Sequence, residues 1–250
     1  MSGIVGIILN LETQSIDECI RFYKDMLSFT DVLEKQEGSH YEIIFHNAAL
    51  SKSLFLRIRQ TSYEKHIKPS QDHLIIFYLS NKDAYTELVD KLSRSGVKQV
   101  KSLNPYWDKV GKTFLGPDNY RIVICPGDYM DFKARVARPS SDLAKVERFY
   151  RGTLSFDKLA EFKDHEGFDG IMLSMDNIDC HFEMTYQHGH DKHEVPPSGY
   201  GLEFLCQSEL DMVNAHVDAD GYTVIMNSQK TFINRYLYEL ATKNQKLLRS

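Results

Sequence analysis

Apolar residues along this chain recur with two periods, and the two alternate in a fixed order. Near the start, GIVGIIL is a continuous apolar run of strand length. SIDECIRFYKDML then spaces Ile16, Cys19, Ile20 and Tyr23 on one face of a helix. Three short strand patterns follow in TDVLEK, YEIIFHN and SLFLRIRQ. A second round repeats the order. HLIIFYL predicts a strand, KDAYTELVDKLSRSG a helix closed by Gly96, and VKQVKSL, GKTFLG and YRIVICP three more strands. The pattern is β-α-β-β-β, twice.

The second half of the chain runs through it again. FKARVAR, SDLAKVERFYRGTL, DKLAEFK, GIMLSMD and CHFEMTYQ predict a third β-α-β-β-β unit. GLEFLC predicts the first strand of a fourth, ELDMVNAHVDADG its helix, with Gly221 at the helix end, and YTVIMNSQ a strand. The remaining TFINRYLYELATKNQKLLRS spaces Ile233, Leu237 and Leu240 like a helix, so the last quarter is degenerate. The two halves also share words. RFYKDMLSF at 21–29 matches RFYRGTLSF at 148–156, and Glu37-Gly38 and Glu166-Gly167 each precede an apolar strand. Internal similarity of this kind predicts a duplication. Its seam falls near Cys125-Pro126-Gly127-Asp128, giving modules at 1–128 and 129–250. The expected fold class is α+β: four βαβββ units in two modules, with curved, mostly antiparallel sheets forming cup-shaped pockets.

Composition narrows the function. An apolar fraction of 42% supports packed cores, which argues against a disordered chain. A formal charge of −5 with no lysine-arginine cluster argues against nucleic acid as a partner. No apolar stretch reaches the length of a bilayer span, so no membrane partner is expected. The N-terminus lacks a signal-peptide pattern and the four cysteines are scattered, which predicts a cytoplasmic protein with reduced thiols.

Four βαβββ units in two pairs resemble the vicinal oxygen chelate superfamily, the group of glyoxalase I, extradiol dioxygenases and the bleomycin- and fosfomycin-resistance proteins. The RFY-x-x-x-L-S-F segments look like its first helix. Asn104-Pro105-Tyr106-Trp107, Gly111-x-Thr113-Phe114 and Gly116-Pro117-Asp118-Asn119-Tyr120-Arg121 look like its last-hairpin signature. The likeness covers about residues 4–226. It implies paired units curled into half-open cups, usually with a divalent metal held by the first and last strands of each unit. Those positions fall near Ile8 and Arg57, on His73 and Val123, on Arg135 and Glu183, and near Gly201 or Leu202. Metal sites want three or four lone-pair donors. Ile8, Val123 and Leu202 offer none, and the two arginines only donate. The expectation is a cup without metal or other cofactor; if a metal binds, His73 and Glu183 are its ligands.

The candidate ligand-binding residues are His73, Tyr106, Trp107, Arg121, Arg135, His165, Asp169, Phe182 and Glu183. Arg135 would take the place of the cation and anchor an anionic or carbonyl group, with the aromatics lining the rest. His181, His188, His190 and His193 fit no standard zinc spacing, and QHGHDKHEVPPSG reads as a solvated linker. No residue is assigned a catalytic role. Three functions compete: a glyoxalase- and bleomycin-resistance-like binder of a small molecule, a metal-dependent lyase, isomerase or dioxygenase using His73 and Glu183, and an interaction module with vestigial pockets. The inner quarters, 72–127 and 131–188, keep more of the family marks than the outer ones. They are expected to pair into one working pocket with His73, Glu183 and Trp107 facing one another. A cup completed within one chain predicts a monomeric pseudo-dimer or a weak homodimer.

Overall fold

The computed structural model describes residues 4–38, 40–62, 69–127, 129–176, 178–190, 201–206, 214–217 and 223–227. The strands are β1 (Ile4–Thr13), β2 (Thr30–Glu37), β3 (His40–His46), β4 (Leu54–Gln60), β5 (Leu74–Leu79), β6 (Gln99–Val100), β7 (Lys112–Leu115), β8 (Arg121–Pro126), β9 (Ala134–Pro139), β10 (Asp157–His165), β11 (Phe168–Ser174), β12 (Cys180–Gln187), β13 (Leu202–Cys206), β14 (Asn214–Val217) and β15 (Thr223–Asn227). The α-helices are α1 (Ile16–Cys19), α2 (Lys82–Arg94), α3 (Tyr106–Val110) and α4 (Leu143–Leu154). Among the described residues no helix is long and apolar enough to cross a membrane.

Side-chain caps start α1, α2 and α4. Ser15 accepts from the Glu18 amide, Asn81 from Asp83 and Ala84, and Asp142 from Lys145. After α1 the chain widens into a π-helical stretch, Ile20–Met26. That change of winding buries Phe22 and Tyr23, while Ile20, counted on the buried face from α-helical spacing, is half-exposed. One assignment is corrected. Asn214–Val217 lie in the run read as a helix but form a strand, paired antiparallel with Thr223–Met226. The tail helix after Thr231 and the Gly221 helix end lie outside the described residues.

The strands form two mostly antiparallel sheets that do not close into barrels. One has the order β14-β15-β13-β1-β4-β3-β2, the other β10-β11-β12-β9-β5-β8-β7-β6. In each, the first strand and the last strand of a quarter run parallel, β5 with β8 and β9 with β12 for example. The first strands of two quarters then meet antiparallel in the middle: β1 with β13, and β5 with β9. The chain divides into two compact units accordingly. Unit 1 comprises 1–66, 175–179 and 198–250, and unit 2 comprises 67–174 and 180–197. The inner quarters thus share one sheet, as their retained family marks lead one to expect.

Residues opposite each other in register point to the same side of a sheet. In unit 2, one side carries Ile75, Ile122, Val136 and Phe182, and it packs under α4 through Tyr150. The other carries Leu74, Ile76, Tyr78, Val123, Cys125 and Ala137, a buried cluster closed by Trp107. We call these the helix face and the cup face. Trp107 reaches the cup face because α3 ends at Gly111, tight against β8. A Cβ at Gly111 would lie 2.6 Å from the Ile124 carbonyl oxygen and 2.7 Å from Cys125 Sγ. In unit 1, Asn10, Arg57 and Glu203 share the side away from Tyr23, and Asp179 bridges the β3–β4 connection by accepting from Ser51 Oγ, Ser53 Oγ and the Lys52 amide.

These contacts predict opposite signs for two glycine substitutions. Gly111→Ala meets backbone that cannot give way and is expected to lower stability by about 2–3 kcal/mol. Gly152→Ala lies in α4 with nothing near its added Cβ and is expected to raise it by roughly 0.5–1 kcal/mol. Urea midpoints of the two variants check both signs.

Candidate functional site on the cup face of unit 2

The centre of the cup face is polar. Arg135 on β9 is 0% exposed and Glu183 on β12 is 2% exposed. Arg135 Nη1 donates to Glu183 Oε2, forming a buried ion pair. Arg135 Nε donates to His181 Nε2 at 2.6 Å. Three aromatic rings surround the guanidinium, with its carbon 5.6 Å from the Tyr78 centroid, 5.1 Å from Trp107 and 4.5 Å from Tyr129. Such ring faces favour a cation. The arrangement is not saturated. Arg135 Nη2 and the Tyr78 hydroxyl are buried without hydrogen-bond partners. Unmet buried donors of this kind are uncommon in native proteins and call for an acceptor.

Burial sets the charge states. The His181 ring is pushed down to about 2, first by desolvation and then by the Arg135 cation, so it stays neutral and can accept. Burial raises the Tyr78 phenol, which remains a donor. Burial also pushes the Cys125 thiol up to about 12, so it is not a thiolate nucleophile.

Beside this centre lies a pocket of about 10 Å³ lined by Gln71, Asp72, Leu74, Asn104, Trp107, Ala137, Phe168, Glu183 and Thr185. It has room for one water-sized group. Near it, α3 meets the β10–β11 turn. Tyr106 packs edge-on against His165, with centroids 5.5 Å apart, and Lys109 pairs with Glu166. At the other end of the face, the turn from Tyr129 to Phe132 lies over Arg135 and His181.

The structure brings together Arg135, Glu183 and Trp107, and puts Tyr106 and His165 in contact beside them. Arg121 is half-exposed at the cup-face end of β8 and donates to the Lys101 carbonyl. Asp169 stays in its own hairpin, accepting from the Asp164 amide and bonded to His188. Two candidates lie on the helix face. Phe182 packs on Tyr150 and Phe156. His73 precedes β5 in the phase of Ile75, bonds Ser70 Oγ at 2.8 Å, and feels the Arg138 cation. Burial and that cation push it down to about 3. His73 therefore does not face Glu183. The strand phase was read one residue off, and a one-residue shift moves every side chain to the other face. The correct phase brings in Tyr78, which the sequence reading passed over. His181 was grouped with a solvated histidine run, but it lies inside β12 and is fully buried. Its alternation with Glu183 was the signal. His193 lies outside the described residues.

The donor set does not fit a divalent metal. The cup-face positions of the central strands hold Leu74 and Ile76 on β5, Val123 on β8, Arg135 on β9 and Glu183 on β12. One carboxylate is present, and a permanent cation already holds it. The imidazole of His181 turns its Nε2 to the same guanidinium. Among the described residues no group of three or more His, Cys, Asp or Glu could hold a metal ion.

The fold has known relatives. Glyoxalase I from Zea mays superposes with a TM-score of 0.70 over 98% of this chain and 96% of its own, at 12% identity. The chain has the vicinal oxygen chelate fold. Within this fold the sequence likeness is to YycE-like proteins. The model of the YycE-like N-terminal domain matches residues 134–185, and that of the YycE-like C-terminal domain matches residues 72–125. The uncharacterized protein YycE of Bacillus subtilis (strain 168) is 29% identical over 102 residues, 40% of this chain and 73% of the relative. A YycE crystal structure covers 49% of this chain and 89% of its own, with a TM-score of 0.42. The two matched regions are those that share the unit 2 sheet. They stand in reversed order, with the C-terminal domain first.

The charge states above carry a pH signature. His73 and His181 have folded values near 3 and 2, below the unfolded value of about 6.5. Between those limits the unfolded chain binds more protons. Their contribution to stability is therefore full above about pH 6.5 and falls as pH drops toward 3, by up to roughly 1.4 kcal/mol per pH unit for each. Proton resonances of both rings should stay still from pH 8 to pH 5, and the urea midpoint should drop over that range. A ring that titrates near pH 6.5 would contradict the buried neutral assignment.

Proposed function

We propose that this chain binds a small organic molecule on the cup face of unit 2 without a metal. The observation that carries the reading is the unsatisfied edge of Arg135. Its Nη2 and the Tyr78 hydroxyl are buried donors without partners, walled by Trp107 and Tyr129. An aromatic-lined site with a few convergent polar groups is the usual chemistry of a ligand pocket. The vicinal oxygen chelate fold and the YycE-like match of this sheet are consistent with it. The free pocket takes only a water-sized group, so a larger ligand enters by parting the walls.

The metal-dependent alternative draws on His73 and Glu183 together, and these lie on opposite faces of one sheet. The binding reading has a direct test, because Trp107 is the single tryptophan of the chain and sits against Arg135. Small carbonyl- and hydroxyl-bearing compounds would be screened by tryptophan emission and melting temperature. Some should change the emission and raise the melting temperature. Arg135→Met should weaken those compounds by about tenfold or more, the loss of a charge-assisted hydrogen bond. Stabilisation that survives unchanged in Arg135→Met, or no stabilising compound at all, would contradict the assignment.

A further inference from the structure

The unit 2 site holds one buried cation, Arg135, and one buried anion, Glu183, in direct contact. The third polar partner, His181, is neutral and already accepts from Arg135. The local charge is therefore balanced before any ligand arrives. An anionic ligand would leave an uncompensated negative charge out of water, which is costly, whereas a neutral acceptor leaves the balance intact. What the site lacks is an acceptor, since Arg135 Nη2 and the Tyr78 hydroxyl are both donors without one. Its walls are flat: Tyr78, Trp107 and Tyr129 present rings to the guanidinium, and Tyr129 stacks on His181 at 5.2 Å.

One wall is a strained turn. The turn over Arg135 places Met130 at φ 48° and Asp131 at φ 67°, both left-handed. A turn with two such residues favours Asn-Gly or Asp-Gly, and a methionine there is strained. Met130 is 60% exposed, and the Phe132 amide donates to the Tyr129 carbonyl across the turn. The Tyr129 hydroxyl is held by Met172 Sδ at 3.0 Å, a weak acceptor.

Resting on the binding reading above, we infer that the ligand is a neutral, planar carbonyl compound of the amide or aromatic ketone kind. Its oxygen accepts from Arg135 Nη2 and Tyr78, and its flat body enters where the Tyr129–Phe132 turn lifts away. A carboxylate of the same shape is excluded by the Glu183 charge. This narrows the expectation that Arg135 anchors an anionic or carbonyl group to its carbonyl half.

Benzamide and benzoate have the same ring and nearly the same size and differ in charge, so they are the probes. Each would be titrated into the full chain with Trp107 emission as the readout. Benzamide should bind at least about tenfold tighter than benzoate. Tyr78→Phe keeps the ring, removes one donor, and should weaken benzamide by about tenfold. Glu183→Gln uncovers the Arg135 charge and should turn the preference toward benzoate. If that variant fails to fold, the wild-type comparison and Tyr78→Phe still decide. Benzoate binding as tightly as benzamide, neither probe binding at millimolar concentration, or benzamide binding unchanged in Tyr78→Phe would each overturn the inference. The two readings fail differently. Arg135-dependent binders in the wider screen, with no preference for benzamide, would refute the neutral ligand and leave the site standing. No Arg135-dependent binder of any kind would refute both.

Discussion

Two charges with no access to water sit on neighbouring central strands of unit 2, and each is tolerated there because it is paired with the other. Moving either alone into a protein interior costs several kcal/mol. Together Arg135 and Glu183 are tolerable, provided the remaining hydrogen-bonding edges find partners. The surroundings follow from that requirement. His181 supplies a neutral acceptor for Arg135 Nε, and three ring faces supply electron density where further anions would be unaffordable. Gly111 lets α3 approach β8 closely enough to lay Trp107 in place. The unmet Nη2 and Tyr78 hydroxyl are left over by this solution, and the proposal that this face binds a ligand rests on them.

Unit 1 uses the same chemistry from a different frame. Arg57 on β4 pairs with Glu203 on β13, and Asn10 accepts from the same Arg57 nitrogen at 3.4 Å. There the arginine sits on the last strand of the first quarter and the glutamate on the first strand of the fourth. In unit 2 both charges belong to one quarter. Each sheet thus carries a buried guanidinium–carboxylate pair on the face opposite its helices. The reversed order of the YycE-like matches has a topological basis. The two first strands that join a sheet, β5 and β9, are antiparallel neighbours, so either quarter can come first in the chain. The Gly127–Lys133 connection is the link that this order requires, and it carries the Tyr129–Phe132 turn over the site.

Much of the fold was legible in the sequence because strand and helix periods leave strong marks. The β-α-β-β-β order, the helix end at Gly96 and the pairing of the inner quarters followed from pattern and from motif retention. The fourth quarter was less so. ELDMVNAHV has helical composition, and its strand at Asn214–Val217 depends on pairing with β15, which local spacing does not encode. At the site, Arg135, Glu183 and Trp107 were found from the family likeness. The misplacements came from phase. His73 was taken as the first residue of the cup-facing set, whereas Leu74, Ile76 and Tyr78 form it. Both sets are apolar enough to be buried, so alternation alone cannot tell which faces the cup. His181 carries two readings in the sequence, in phase with Glu183 in HFEMTY and in spacing with the downstream histidines, and the strand reading is the one the structure shows. Tyr129 comes from the seam between repeats, where no periodicity points to it.

The account depends on Arg135 and Glu183 acting as one buried pair, and a double-mutant cycle tests that most directly. Urea unfolding would compare wild type, Arg135→Met, Glu183→Leu and the double variant. Each single change strands a charge, and each should cost about 3–5 kcal/mol. The double variant removes both charges and should cost far less than the sum, with a coupling of several kcal/mol. Additive losses would mean that the two charges are not bound to one another in the folded protein, and the site built around them would have no foundation.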